Sequence, residues 1–198
     1  MALFSELTTD ILTESNGCPE MILERHIRNA SIDFFTESEL WQDQVIIPSQ
    51  EGVGEYDIPR QFDIQVLKLI YCEVDGRVLI QTVPQRTFAP KGRPEHYFLR
   101  NSQLHLRPYD RVKGDIRLEV VYRPTRSSVE IPDEYADSWF ETIQYGALAR
   151  TLSMPGQPWY DPRRAAAYSE QYLNGLDEAR REGTHQNHSR IKTTRFSW

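Results

Sequence analysis

Two stretches of helical spacing joined by a proline-rich turn constrain this chain more than any other feature of it. The first stretch opens after Pro132, where Asp133, Glu134 and Asp137 stand at the positive end of a helix dipole. Tyr135, Trp139, Ile143 and Ala147 then recur about one turn apart, flanked by Phe140, Leu148 and Leu152, and Pro155-Gly156 ends the pattern. The second stretch begins at Asp161, whose carboxylate suits the free amides of a first turn while Pro162 takes the first helical position. Ala165, Tyr168, Tyr172, Leu176 and Ala179 mark its apolar stripe. Between them, Met154-Pro-Gly-Gln-Pro-Trp159-Tyr160 is too long for a minimal turn, and its prolines and tryptophan predict a loop held in one shape.

A helix pair with apolar faces needs further partners, and the N-terminal segment supplies one. Residues 4–14 predict a short helix ended by Asn16-Gly17, and from Pro19 to about Trp41 the residues Leu23, Ile27, Ala30, Phe34 and Trp41 fall on one face. After Asp43 the period changes to two. Strands are predicted around Val45 and Ile47, from Tyr56, over 64–74, over 77–82, in a hairpin of 97–100 with 103–107, and over 116–122. Asp75-Gly76 and Asn101-Ser102 are the hairpin turns. Residues 84–94, with three prolines, read as a structured loop or edge.

The fold class is therefore α+β: a helical bundle domain built from both chain ends (1–43 and 129–183), an inserted antiparallel β-sandwich or barrel (44–128), and an extended C-terminal arm (184–198). Charge follows these divisions. Residues 1–43 carry 2 basic and 9 acidic side chains, 44–128 carry 13 and 10, 129–183 carry 5 and 10, and 184–198 carry 3 and none. A net charge of −6 argues against a dedicated nucleic-acid binder, although Arg86, Lys91, Arg93, Arg100, Arg107, Arg111, Lys113 and Arg117 lie near Phe88, Tyr97 and Tyr109 in the middle segment. No apolar run reaches the roughly 18 residues of a membrane span, and MALFSELTTD lacks the basic-then-apolar order of a leader. Cys18 and Cys72 read as two free thiols.

The block 131–181 resembles bacteriophage head-to-tail adaptor proteins, the connector subunits akin to tail tubular protein A of short-tailed phages. The Ile-Pro-Asp-Glu start, the Gly146-Ala147-Leu148-Ala149-Arg150 centre and the Met-Pro-Gly-Gln-Pro-Trp-x-Asp-Pro turn carry the likeness. It implies a structural virion protein, made in the host cytoplasm, that joins a ring of twelve copies beneath the portal protein. It further implies that tail or nozzle proteins dock on the far side and that genomic DNA passes through without specific binding. The same resemblance implies a C-terminal portal-binding arm, here Arg190, Ile191, Lys192, Arg195, Phe196 and Trp198. Read from the residues alone, 184–198 is either a solvated terminus or a segment that orders on binding. Pro155, Pro158 and Trp159 are assigned to an interface turn, with burial of Trp159 inside its own subunit as the open alternative.

Little else carries chemistry. There is no P-loop, dinucleotide fingerprint, Cys-x-x-Cys or nucleophile motif, and no cofactor is expected. His185 and His188 lack a third ligand nearby; His96 and His105, with Asp110 and Glu119 as possible carboxylates, are a combination that arises by chance. The chain is read as a non-enzyme. The competing classes are a nucleic-acid-binding β-domain protein and a tail-associated hydrolase.

Overall fold

The computed structural model describes residues 1–60, 63–84 and 92–190, with backbone alone at Asp10 and over 185–190. The chain divides into two compact units, one from Met1–Leu40 together with the chain from Pro124 onward, the other Trp41–Arg123. These divisions fall at 40/41 and 123/124, where the sequence suggests 43/44 and 128/129. Arg28 Nε donates to the Ser128 carbonyl at 2.6 Å, and the Phe4 amide donates to Val129 at 2.9 Å, which ties 128–129 into the helical unit.

The helical unit opens with β1 (Ala2–Leu3) and α1 (Phe4–Leu12), followed by α2 (Glu20–Ser38). Its later part is β10 (Glu130–Ile131), α3 (Asp133–Leu152) and α4 (Pro162–Arg190). β1 pairs antiparallel with β10, a two-stranded sheet too short to leave a periodicity in sequence. The expected stripe of α2 is buried at Leu23, Ile27, Ala30 and Phe34. Trp41 is not part of it. Glu39 takes a left-handed conformation (φ 54°) that ends the helix, and Trp41 belongs to the other unit, where its ring lies 6.2 Å from that of Tyr122.

Aromatic contacts join α2 to α3: Phe35 meets Tyr135 edge-on with centroids 5.3 Å apart, and Phe34 meets Trp139 at 5.7 Å. α3 and α4 meet through glycine. A Cβ on Gly146 would lie 2.8 Å from the Tyr172 ring, and one on Gly175 would lie 2.4 Å from Thr142 Oγ1. Glycine in a helix interior costs about 0.5–1 kcal/mol relative to alanine, which the close packing of backbone on side chain offsets here. Around this core, Arg150 pairs with Asp33, Arg164 with Glu14 and Arg180 with Glu37. All three pairs are substantially exposed, so they select the register of the helices more than they stabilise them.

The expected start of the extended arm at 184 is corrected by α4, which runs on to Arg190. Gly183 lies inside this helix. It is buried where α4 crosses the end of α2, and a Cβ there would come 2.6 Å from the Ser38 carbonyl oxygen. Once earlier turns are packed, each further residue adds a hydrogen bond without a new nucleation cost, so a polar sequence without proline continues the helix.

The second unit holds β2 (Gln42–Pro48), β3 (Glu55–Asp57), β4 (Ile64–Val74), β5 (Arg77–Val78), β6 (Ile80–Gln81), β7 (His96–Arg100), β8 (Gln103–Arg107) and β9 (Asp115–Pro124). They form two four-stranded sheets, ordered β2-β9-β4-β5 and β3-β8-β7-β6; neither closes into a barrel. Both expected hairpin turns have positive φ at each central residue: 52° and 72° at Asp75 and Gly76, 52° and 61° at Asn101 and Ser102. The strand expected over 77–82 is corrected. Arg77 and Val78 pair with β4, the Leu79 amide still donates to the Cys72 carbonyl at 2.8 Å with its side chain 5% exposed, and β6 then joins the other sheet parallel to β7. Much of the loop expected over 84–94 lies outside the described residues.

The core of this unit includes ionisable groups held neutral. Burial pushes the Cys72 thiol from 9.0 up to about 12, and the Tyr97 and Tyr122 phenols from 10.0 up to about 12. Each group has a raised folded-state pKa, so its stabilising contribution is complete below the ordinary value and is lost as pH rises toward about 12. The urea midpoint for loss of sheet signal is expected to hold steady up to about pH 9 and to fall steeply between there and about pH 12. A midpoint that stays level across that window would show these groups to be solvated.

Candidate functional site

The site is the junction between α3 and α4, and local sequence builds most of it. α3 opens with Pro132 as N-cap and Asp133 and Glu134 in its first turn, as the spacing predicts. α4 starts at Pro162 beneath Asp161, whose Oδ1 accepts from the amides of Arg163 and Arg164, each at 3.1 Å. The chain between is closed by three backbone bonds. Met154 N–H donates to Thr151 at 3.3 Å, Tyr160 N–H to Gln157 at 3.0 Å, and Asp161 N–H to Leu152 at 2.9 Å. Gly156 (φ 78°) makes the bend that a side chain would strain.

The structure separates the three residues assigned to the turn. Pro155 and Pro158 are exposed, together with Gly156 and Gln157, while Trp159 is only 9% exposed. The indole thus sits under the turn, and its Nε1–H meets no acceptor among the described residues. The aromatic offered outward is Tyr160, 46% exposed. Of the arm residues, Arg190 is the last residue of α4, and Ile191, Lys192, Arg195, Phe196 and Trp198 lie outside the described residues.

Beside the turn, α3 and α4 flank an open groove of about 560 Å³ whose walls include Gly146, Arg150, Ser153, Tyr160, Ala165 and Tyr172. The Tyr172 ring lies over Gly146, and its buried hydroxyl has no partner among the described residues. Burial raises that phenol to about 12, with Asp33 acting in the same direction and Arg150 against it. Leu173, 55% exposed, lies at the rim. The sequence reading missed this hollow. Its only signal was the small-residue centre Gly146-Ala147-Leu148-Ala149 opposite Tyr172, which a stripe analysis assigns to packing.

The histidine readings resolve differently. His105 is 7% exposed, stacks on Phe98 with centroids 4.7 Å apart, and has Nδ1 3.3 Å from a carboxylate oxygen of Glu55, not one of the two acids considered. Among the described residues, no three His, Cys, Asp or Glu side chains are grouped to hold a metal, and no helix is long and apolar enough to cross a membrane. What the site offers is an exposed turn above a buried tryptophan, beside a partly apolar groove.

Comparison with curated proteins gives no match to this chain. A family model, that of the SU10 adaptor protein, matches residues 3–194. The match runs through both units and through the whole junction just described, and its function class is structural. The chain belongs to the SU10 adaptor protein family, a family of phage head-to-tail adaptors.

Proposed function

We propose that twelve copies of this chain form a ring beneath the portal, continue its DNA channel and receive tail or nozzle proteins on the other side, as tail tubular protein A does in short-tailed phages. In this reading the two sheets of the second unit pack as a sandwich. The observation that carries the proposal is the family match across nearly the whole chain, read with a turn that is rigid from beneath and exposed above. Pro155, Pro158 and Tyr160 form its contact surface, and Trp159 supports them. The chain beyond α4, with Ile191, Lys192, Arg195, Phe196 and Trp198 following Arg190, is the portal-binding arm, its aromatics serving as anchors and its cations as steering charges. α4 is 29 residues long, about 43 Å at 1.5 Å per residue, and so places Arg190 well away from the turn.

The test is co-sedimentation with the portal ring, full length against a protein ending at Arg190. That end point leaves Gly183 and the α2 crossing intact. The full-length protein is expected to pellet in fixed ratio, and the shortened one to stay in the supernatant with an unchanged urea midpoint. Pelleting of both would transfer the interface to the turn and the helices. Failure of the full-length protein to pellet would count against a portal-bound adaptor.

A further inference from the structure

The basic side chains of the second unit fall into two groups. Some are neutralised by neighbours: Arg107 lies 3.3 Å from a Glu55 oxygen, and Arg117 lies 3.7 Å from Glu73. Three are not. Arg93, Arg111 and Lys113 gather around one cavity of about 290 Å³ together with Glu51 and Asp75, and none of the three cations has an ion pair among the described residues.

Four connections meet to make this cavity. Glu51 comes from the loop between β2 and β3, Asp75 from the turn between β4 and β5, Arg93 from the approach to β7, and Arg111 and Lys113 from the link between β8 and β9. The arrangement is anchored. The Arg111 amide donates to the Gly92 carbonyl at 3.2 Å, and Val112, 1% exposed, pins the chain between the two exposed cations.

We propose that this cavity binds phosphate groups, and that its ligand is the phosphodiester backbone of DNA. Exposed cations hold a single small anion weakly, because water and salt screen each pair. The same cations set against a polyanion also release condensed counterions, which is the larger source of affinity. Among the described residues no aromatic side chain lines the cavity, which suits contact with the backbone rather than with bases, independent of sequence. Glu51 and Asp75 cut the excess positive charge and keep the contact weak, which suits DNA that must slide past. The use of such a site rests on the proposed place in the DNA path. Its chemistry does not, and the test needs no portal.

Binding of a short labelled DNA duplex is titrated against salt for the full-length protein, for R93Q/R111Q/K113Q and for E51Q/D75N. Loss of the three cations is expected to weaken binding at least tenfold at low salt and to reduce the slope of log affinity against log salt by about 0.9 per cation removed. Removal of the two acids is expected to tighten binding several-fold, a gain that misfolding cannot produce. Unchanged affinity in both variants, or no DNA binding by the wild-type protein at low salt, overturns the proposal. Displacement of the duplex by inorganic phosphate at equal ionic strength would assign the site to free phosphate and overturn the DNA assignment.

Discussion

Trp159→Ala is expected to lower the stability of the helical unit by about 3–5 kcal/mol, the range for removing a large buried aromatic and leaving a cavity. The side chain is 9% exposed beneath the turn that joins α3 to α4, so its removal leaves a cavity that the backbone bonds of the turn do not fill. Its indole N–H has no acceptor among the described residues, which makes the ring, and not the nitrogen, the stabilising part. Trp159→Phe is therefore expected to cost less than about 1.5 kcal/mol, since it keeps most of the apolar volume and removes an unsatisfied donor. Urea denaturation decides this: the midpoint falls strongly for the alanine variant and slightly for phenylalanine, with the m-value unchanged. The contrast is at the exposed surface of the same turn. Tyr160→Ala is expected to leave stability within about 0.5 kcal/mol and to weaken co-sedimentation with the portal. A Trp159→Ala protein with a wild-type midpoint would show that the indole does not anchor its own chain and would return it to the interface.

Gly146→Val should cost about 2–3 kcal/mol, near the upper end for overpacking a core. The first carbon of any side chain at this position would lie 2.8 Å from the Tyr172 ring on α4 and 3.2 Å from the Ala30 Cβ on α2, so three helices are spaced by the missing group. Alanine gains about 1 kcal/mol of helix propensity over glycine, but that gain is smaller than the cost of separating α2 and α4 from α3. Valine adds two methyls to the same space. Tyr172→Ala removes the nearer obstacle, so a double-mutant cycle is expected to show Gly146→Val less damaging in the Tyr172→Ala background, with coupling above about 0.5 kcal/mol. Tyr172→Phe keeps the ring and should give no relief. Independent, additive effects in the alanine cycle would rule out the close approach.

How much of this was legible in sequence depended on whether a signal was local. The starts of α3 and α4 were, because a cap and a first-turn charge act within a few residues: Asp133, Glu134, Asp161 and Pro162 all serve as their positions predict. The type I′ hairpins at Asp75-Gly76 and Asn101-Ser102 were legible for the same reason. The strand over 64–74 was correct to the residue, since its apolar run is long and ends in a turn. Of the site, the turn was found as a rigid element, but its parts were not sorted. Prolines and a tryptophan side by side predict one shape without saying which side chain faces in.

Where a signal was long-range, local rules misled. Residues 184–198 read as an extended arm, yet Gly183 lets α4 pass the Ser38 carbonyl, and the helix continues to Arg190. Trp41 fits the α2 stripe by spacing, but the left-handed Glu39 ends the helix before it. The strand after Val78 changes sheets because Leu79 finds a buried place and β6 finds β7, a pairing to which residues 77–82 alone carry no clue. The sequence by itself determined the class of fold, the helix caps, the hairpin turns and the family, because these depend on residue types at short fixed spacings. Only the tertiary structure decided which glycines are spacers, that Trp159 lies inward and Tyr160 outward, and that three cations from separate connections share one cavity. Each of these depends on atoms brought within a few ångströms by residues far apart along the chain, and neither periodicity nor composition records that distance.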